Sequence, residues 1–179
     1  MSLTRAFIIL AILLSAGCGD NLFPSGDDRR PPVATGTTGP LPGQIAPDFS
    51  IPATDGSLVT LSSATGGARG AVFYFTMWCP ICDSHMSHLR SNVAPTAPGI
   101  RYFLVDYVSG SVDGAASAAA ESGYAGGIFT ILSDGSNSML RLYGATMGTT
   151  IVIGADGIVR MNEDYRDGTR LVQTLSQLP

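Results

Sequence analysis

The stretch Ala71-Val-Phe-Tyr-Phe-Thr-Met-Trp-Cys-Pro-Ile-Cys-Asp-Ser-His-Met-Ser-His-Leu89 decides how this chain folds. Ala71 to Phe75 are apolar and aromatic, which predicts a buried strand. After Trp78-Cys79-Pro80-Ile81-Cys82, Met86 and Leu89 stand at i and i+3, a helical spacing. Pro80 has no N–H and suits the first helical turn, where that donor has no intrahelical partner. Cys79 is therefore expected at the N-terminus of a helix that leaves the end of a strand. The helix dipole and the free N–H groups there favour a thiolate. Cys82 follows one turn later, within reach of a disulfide with Cys79. In such a pair the outer thiolate attacks a substrate disulfide, and the inner cysteine resolves the mixed disulfide. A place after Trp78 and before Pro80 suits reactivity better than core packing.

Working outward, 179 residues suffice for one domain with a proper core plus tails. The formal net charge of −4 argues against a nucleic-acid partner. Every basic residue is Arg, which excludes a Schiff-base or general-base lysine. The cysteines are Cys18, Cys79 and Cys82, too few for a disulfide framework. They also leave no second cysteine pair for a structural zinc, and no metal site is expected.

At the N-terminus, Arg5 precedes an apolar run from Ala6 to Leu14, short for a membrane span. It ends in Leu14-Ser15-Ala16-Gly17-Cys18, which resembles a bacterial lipoprotein signal. The resemblance implies a signal over residues 1–17, cut before Cys18, which then carries the lipid. Ser15 stands where Leu or Val is usual. The alternative is an ordinary secretory signal cleaved nearby. Both place the mature protein outside the cytoplasm, in the bacterial cell envelope. Gly19 in place of an Asp retention signal favours the outer membrane by the same resemblance. Residues 18–43, rich in Pro, Gly, Asp and Thr, are expected to be a flexible tether.

The domain is expected over residues 44–179. Two short strands flank the turn pair Asp55-Gly56, and residues 62–70 form a loop. The first helix is expected from Pro80 to about Val93, before Pro95 and Pro98-Gly99. Ile100 to Asp106 is a second buried strand. Asp113 to Gly123 is helical, with Asp113 placed to cap it. Ile128 to Leu132 is a short strand, and Ser136 to Tyr143 a short helix. Thr150 to Ile153 and Ile158 to Met161 form a hairpin around Asp156-Gly157. Thr169 to Leu178 is a helix with Leu171, Val172, Leu175 and Leu178 along one stripe. Tyr143 and Ile151 to Ile153 are core. The order predicts an α/β fold with a mixed central sheet flanked by helices.

Four landmarks resemble the thioredoxin-fold redoxins, a group that joins peroxiredoxin-like proteins and membrane-attached thiol–disulfide oxidoreductases. They are Ala46-Pro47-Asp48-Phe49 with Asp55-Gly56, Phe75-Thr76-Met77-Trp78-Cys79-Pro80-Ile81-Cys82, Leu132-Ser133-Asp134 with Leu142-Tyr143-Gly144, and Thr149-Thr150-Ile151-Val152-Ile153 with Asp156-Gly157. The resemblance implies a thioredoxin-like fold with an N-terminal β-hairpin extension and a redox-active Cys79–Cys82 disulfide. Trp78, Pro80, Met147, Gly148 and Thr149 would form the substrate groove, with no cofactor. Gly148 stands where the family has its cis-proline. Phe73 stands at the position of the thioredoxins' buried acid, six residues before the first cysteine. His85 replaces a glutamate often found three residues after the second cysteine, which makes it a candidate for proton handling.

Three functions fit these features. The favoured one is an envelope-tethered thiol–disulfide oxidoreductase, with cysteine-bearing envelope proteins as partners, an upstream thiol electron donor, and a lipid anchor on Cys18. A second is a thiol peroxidase, because Thr76-x-x-Cys79-Pro80 resembles the peroxiredoxin pattern. That reading needs an arginine, Arg141 or Arg160. A third is a Sco-like copper carrier using Cys79, Cys82 and His85, for which the family's distant ligand histidine is missing.

Overall fold

The computed structural model describes residues 36–179. Residues 1–35, with the expected signal, Cys18 and most of the expected tether, lie outside the described residues. The chain is bonded to the domain before Gln44. Gly39 donates to the Ile45 carbonyl, and Gly43 to the Val159 carbonyl.

The strands are β1 (Ser50–Pro52), β2 (Leu58–Thr60), β3 (Gly70–Thr76), β4 (Ile100–Asp106), β5 (Phe129–Ser133), β6 (Thr149–Gly154) and β7 (Val159–Asp164). The helices are α1 (Leu61–Thr65), α2 (Pro80–His88), α3 (Val112–Glu121), α4 (Ser138–Tyr143) and α5 (Thr169–Ser176). β1 and β2 form the expected antiparallel pair. The main sheet has the order β5-β4-β3-β6-β7. β3 pairs parallel with β4 and antiparallel with β6, so the sheet is mixed as expected. This is a thioredoxin-like fold with an N-terminal β-hairpin.

The central position of β3 explains its composition. All seven of its residues are buried, so both faces must be apolar. Successive side chains alternate between two core layers. Val72 and Tyr74 pack with Cys82, Met86 and Leu89 of the α2 segment and with Leu171 and Leu175 of α5. Ala71, Phe73 and Phe75 pack with Phe49, Ile51, Val59, Met139 and Tyr143 on the other face. Phe73 lies parallel to Phe103 at 4.9 Å and edge-on to Phe49 at 5.4 Å. Burial of this many large side chains, each worth roughly 1.5–3 kcal/mol, is what orders the sheet.

Three local expectations need correction. The segment 62–70 is not all loop, because Thr60 and Ser63 form a capping box that starts α1. α3 is capped by Ser111 rather than Asp113; the Ser111 hydroxyl accepts the Gly114 N–H at 3.0 Å, while Asp113 sits in the first turn. The first helix keeps α geometry only to His88, then widens to a π turn over Leu89–Val93 and tightens to a 3-10 turn over Ala94–Thr96. Pro95, with no N–H to give, closes the α ladder there.

Candidate active site

β3 delivers the chain to the carboxyl end of the sheet, and Met77, Trp78 and Cys79 separate it from α2. Cys79 is the N-cap and Pro80 the first helical residue. The turn is strained, because Trp78 has φ +59, a conformation that costs an ordinary L-residue about 1–2 kcal/mol. Two bonds hold it. The Trp78 N–H donates to Thr76 Oγ1 at 3.0 Å, and the indole Nε1 donates to Asp106 Oδ2 at 2.8 Å. Asp106 stands opposite Thr76 in the β3–β4 register and is buried. Its other oxygen accepts the Val108 and Ser109 N–H groups, each at 2.9 Å. A buried carboxylate with three donors anchors the one tryptophan of the chain beside the first cysteine.

The two thiols lie 2.7 Å apart in the reduced pair. Cys79 is partly exposed, whereas Cys82 is fully buried. The Cys82 N–H donates to Cys79 Sγ at 3.3 Å, as an N-cap requires. The sulfurs titrate as a unit. Burial raises the Cys79 thiol, and the adjoining Cys82 sulfur raises it further. Cys82 is held below the ordinary thiol range. Its burial works the other way but is outweighed by the Cys79 thiol, by backbone hydrogen bonds at Met77 and Cys79, and by the Thr76 hydroxyl. The helix terminus was expected to make the outer sulfur the more acidic. In the closed pair the inner sulfur collects more donors. Of the two sulfurs, Cys79 is the one a partner can reach.

His85 lies one turn beyond Cys82. Its Nδ1 is 2.9 Å from the Tyr74 hydroxyl, and its ring stacks obliquely on Tyr165 at 4.8 Å. Burial, with a smaller contribution from the charge of His88, lowers its pKa. His88 Nδ1 is 2.6 Å from the Tyr165 hydroxyl. Tyr74 is buried in the same core layer as Cys82, and burial raises its pKa. Phe73 sits where the thioredoxins carry a buried acid, but it faces the opposite core layer; Val72 and Tyr74 are the β3 residues that share a layer with Cys82.

The loop before β6 closes over the same end. Gly148 has φ +85, its N–H donates to the Phe75 carbonyl at 2.9 Å, and its carbonyl accepts the Tyr165 N–H at 2.8 Å. The described residues contain no cis peptide, so glycine here does not imitate the family's cis-proline. It takes a left-handed turn that only glycine adopts readily. A Cβ on Gly148 would meet His85 at 3.9 Å, which places this loop against α2. Thr149 Oγ1 bonds Asp164 at 3.1 Å, and Met147 is exposed. Exposed Met77 and Ile81 flank Cys79 in sequence, so the loop and the helix start both offer apolar side chains to a partner. A groove of about 1000 Å³ begins at Thr146 and Thr149 and runs to Arg166 and Arg170; neither cysteine lines it.

Asp106, Tyr74 and Tyr165 belong to the site but were not picked out by sequence reasoning, and Thr76 was singled out only through the peroxiredoxin-like pattern. Thr76 had the available signal, since it is a polar residue ending an apolar strand. The other three are brought in by pairing and packing. Of the two arginine candidates, Arg160 is ion-paired with Asp156 at the opposite end of the sheet, and Arg141 is exposed on α4. Among the described residues no arginine bonds Thr76, Cys79 or Cys82. Nor, among the described residues, do three or more His, Cys, Asp or Glu side chains cluster to hold a metal; His85 does not join the two cysteines in such a group.

The fold and the paired cysteines define a thioredoxin-fold redoxin. Residues 42–162 match the AhpC/TSA family, and the protein belongs to it. It is an oxidoreductase. Three solved structures share the fold. A putative thiol:disulfide interchange protein DsbE from Chlorobium tepidum is 26% identical, with a TM-score of 0.57 over 75% of this chain and 95% of that one. Peroxidoxin BcpB from Mycobacterium tuberculosis is 20% identical, with a TM-score of 0.63 over 77% and 97%. A putative protein disulfide isomerase from Bacteroides thetaiotaomicron is 20% identical, with a TM-score of 0.63 over 77% and 89%. No curated protein matches the sequence.

Proposed function

We propose that this protein is a thiol–disulfide oxidoreductase that exchanges disulfides with extracytoplasmic proteins. The carrying observation is the geometry of Cys79 and Cys82: two free thiols 2.7 Å apart, one reachable and one buried. Cys79 Sγ attacks a substrate disulfide, and the electron pair of the broken S–S bond leaves on the distal substrate sulfur. Cys82 Sγ then attacks Cys79 Sγ, closes the disulfide and releases the second substrate thiolate. The strained, anchored Trp78 and the exposed Met77, Ile81 and Met147 give the partner an apolar seat. Thiol peroxidase chemistry at Cys79 is the competing reading, supported by family membership and by Thr76 at the sulfur pair. Among the described residues no arginine is bonded at the cysteines to steady a peroxide. The N-terminal sequence supports anchoring through a lipid on Cys18 in the cell envelope, with the outer membrane favoured. Among the described residues no helix is long and apolar enough to cross a membrane.

The test uses insulin reduction with dithiothreitol as donor, and peroxide consumption by stopped flow. Exchange activity is expected in the wild type and lost in Cys79→Ser. Insulin reduction at the wild-type rate by Cys79→Ser overturns the proposal. Peroxide turnover far above the free-thiol rate selects the peroxidase instead. Labelled palmitate should enter the wild-type chain in a bacterial host and not the Cys18→Ser chain.

A further inference from the structure

We propose that the outer edge of β7 is a docking strip for an extended segment of the partner protein, one that carries an acidic side chain a few residues from the cysteine under attack. The inference rests on the exchange reading above and deepens it by naming what the partner offers for recognition.

β7 is the last strand of the main sheet, so one side of its backbone faces no other strand of that sheet. The Tyr165 N–H donates to the Gly148 carbonyl across the β6–β7 ladder, and Thr149 opposes Asp164 in the next pair. Bonded and non-bonded pairs alternate in an antiparallel ladder, so Asn162 and Asp164 turn their N–H and C=O groups away from β6. Among the described residues these outward groups take no backbone partner. Val159, which turns the same way, has both of its own: its N–H donates to the Gln44 carbonyl, and its carbonyl accepts the Gly43 N–H. The start of the edge therefore already holds an added stretch of chain. That stretch leaves the edge near Pro40 and Leu41, where the groove of about 1000 Å³ opens alongside Asn162, Glu163 and Asp164. A segment laid in the groove continues the same pairing.

The strip leads to the thiols. β3 and β7 are both antiparallel to β6, so the Asp164 end of β7 lies at the end of the sheet where Cys79 sits. A chain paired outside β7 is three strand spacings from β3, roughly 14 Å, which about four extended residues cross. One partner chain can thus present its cysteine to Cys79 and lie in the groove. At this end Arg166 is exposed and, among the described residues, has neither a hydrogen bond nor an ion pair. Arg170 stands 3.8 Å from Glu163, and Asp164 accepts the Thr149 hydroxyl. Arg166 is thus the charge left to read an acidic side chain, while exposed Leu41 at the far end offers an apolar contact. A second copy suits the strip less well, because two-fold pairing over residues 162–164 is centred on Glu163 and sets that carboxylate against its own copy.

The test uses the full reduced protein and two short synthetic peptides, each with one cysteine capped by thionitrobenzoate and an alternating Thr–Val tail. About four residues from the cysteine, one peptide has Glu and the other Lys. Cys79 Sγ attacks the peptide sulfur, and thionitrobenzoate leaves with the electron pair of the broken S–S bond and is read by its colour. The Glu peptide is expected to react roughly threefold to tenfold faster than the Lys peptide at low salt, with the ratio shrinking at high salt. Arg166→Glu should invert the ratio, which a loss of fold cannot do. N-methylation of alternate tail amides should slow release roughly fivefold or more in one phase and by less than about twofold in the other, because a strand edge meets every second residue. Equal rates for the two peptides, a ratio that Arg166→Glu does not invert, or methylation that acts alike in both phases overturns the docking strip while leaving exchange intact. A concentration-dependent dimer, seen by sedimentation and dispersed by the Glu peptide, assigns the edge to a second copy and also overturns it. Absence of thionitrobenzoate release from either peptide in wild type would instead overturn the exchange reading itself.

Discussion

Replacing Gly148 by the family's proline should damage this protein rather than improve it. Proline fixes φ near −65°, whereas Gly148 has φ +85. The loop cannot keep its path, so it loses the N–H donated to the Phe75 carbonyl and loosens the carbonyl that accepts from Tyr165. Each buried group left without its partner costs about 1–3 kcal/mol, which puts Gly148→Pro at roughly 3–5 kcal/mol. Gly148→Ala is the control. Its Cβ meets only His85 at van der Waals distance, so only the left-handed conformation is penalised, by about 1–2 kcal/mol. Urea unfolding at neutral pH, followed by circular dichroism, should give midpoints in the order wild type, Gly148→Ala, Gly148→Pro. With a slope of about 1–3 kcal/mol per molar, the alanine variant should lose roughly 1 M and the proline variant clearly more. Insulin reduction should fall with proline, because the loop against His85 is displaced. A proline variant as stable and active as wild type would refute the claim that this turn is built for glycine.

Two further outcomes are expected. Asp106→Ala leaves the Val108 and Ser109 N–H groups and the Trp78 indole without their acceptor, at a cost of about 2–4 kcal/mol. Trp78 is the chain's one tryptophan, so its emission should shift to the red in the folded variant, and an unchanged spectrum would disprove the anchor. Stability should also fall as pH drops through the ordinary histidine range towards the lower folded pKa of His85. The unfolded chain binds a proton there before the native one does, so stability is present above the unfolded value and lost below it. His85→Gln should flatten that dependence in urea midpoints compared at mildly acid and neutral pH; an unaltered dependence would dismiss His85 as its source.

The amino-acid sequence alone determined the main features that neighbours along the chain decide. The apolar run of β3, Pro80 at the first helical position and the three-residue cysteine spacing place two sulfurs at a strand-to-helix junction, because each depends on a few consecutive dihedrals and a helical period. The α/β order, the N-terminal hairpin and the amphipathic α5 were legible for the same reason. Capping side chains were less so, because Ser111 and Asp113 are both good caps and only the packed turn selects one. What only the tertiary structure decided is which side chains meet at the sulfurs. Asp106 reaches Trp78 because β3 and β4 pair in register. Tyr74 rather than Phe73 faces Cys82 because strand residues alternate and α2 covers one face. Gly148 meets His85 because the β6 loop folds over α2. Contacts between residues distant in sequence depend on register and layer, and neither is written in any single segment.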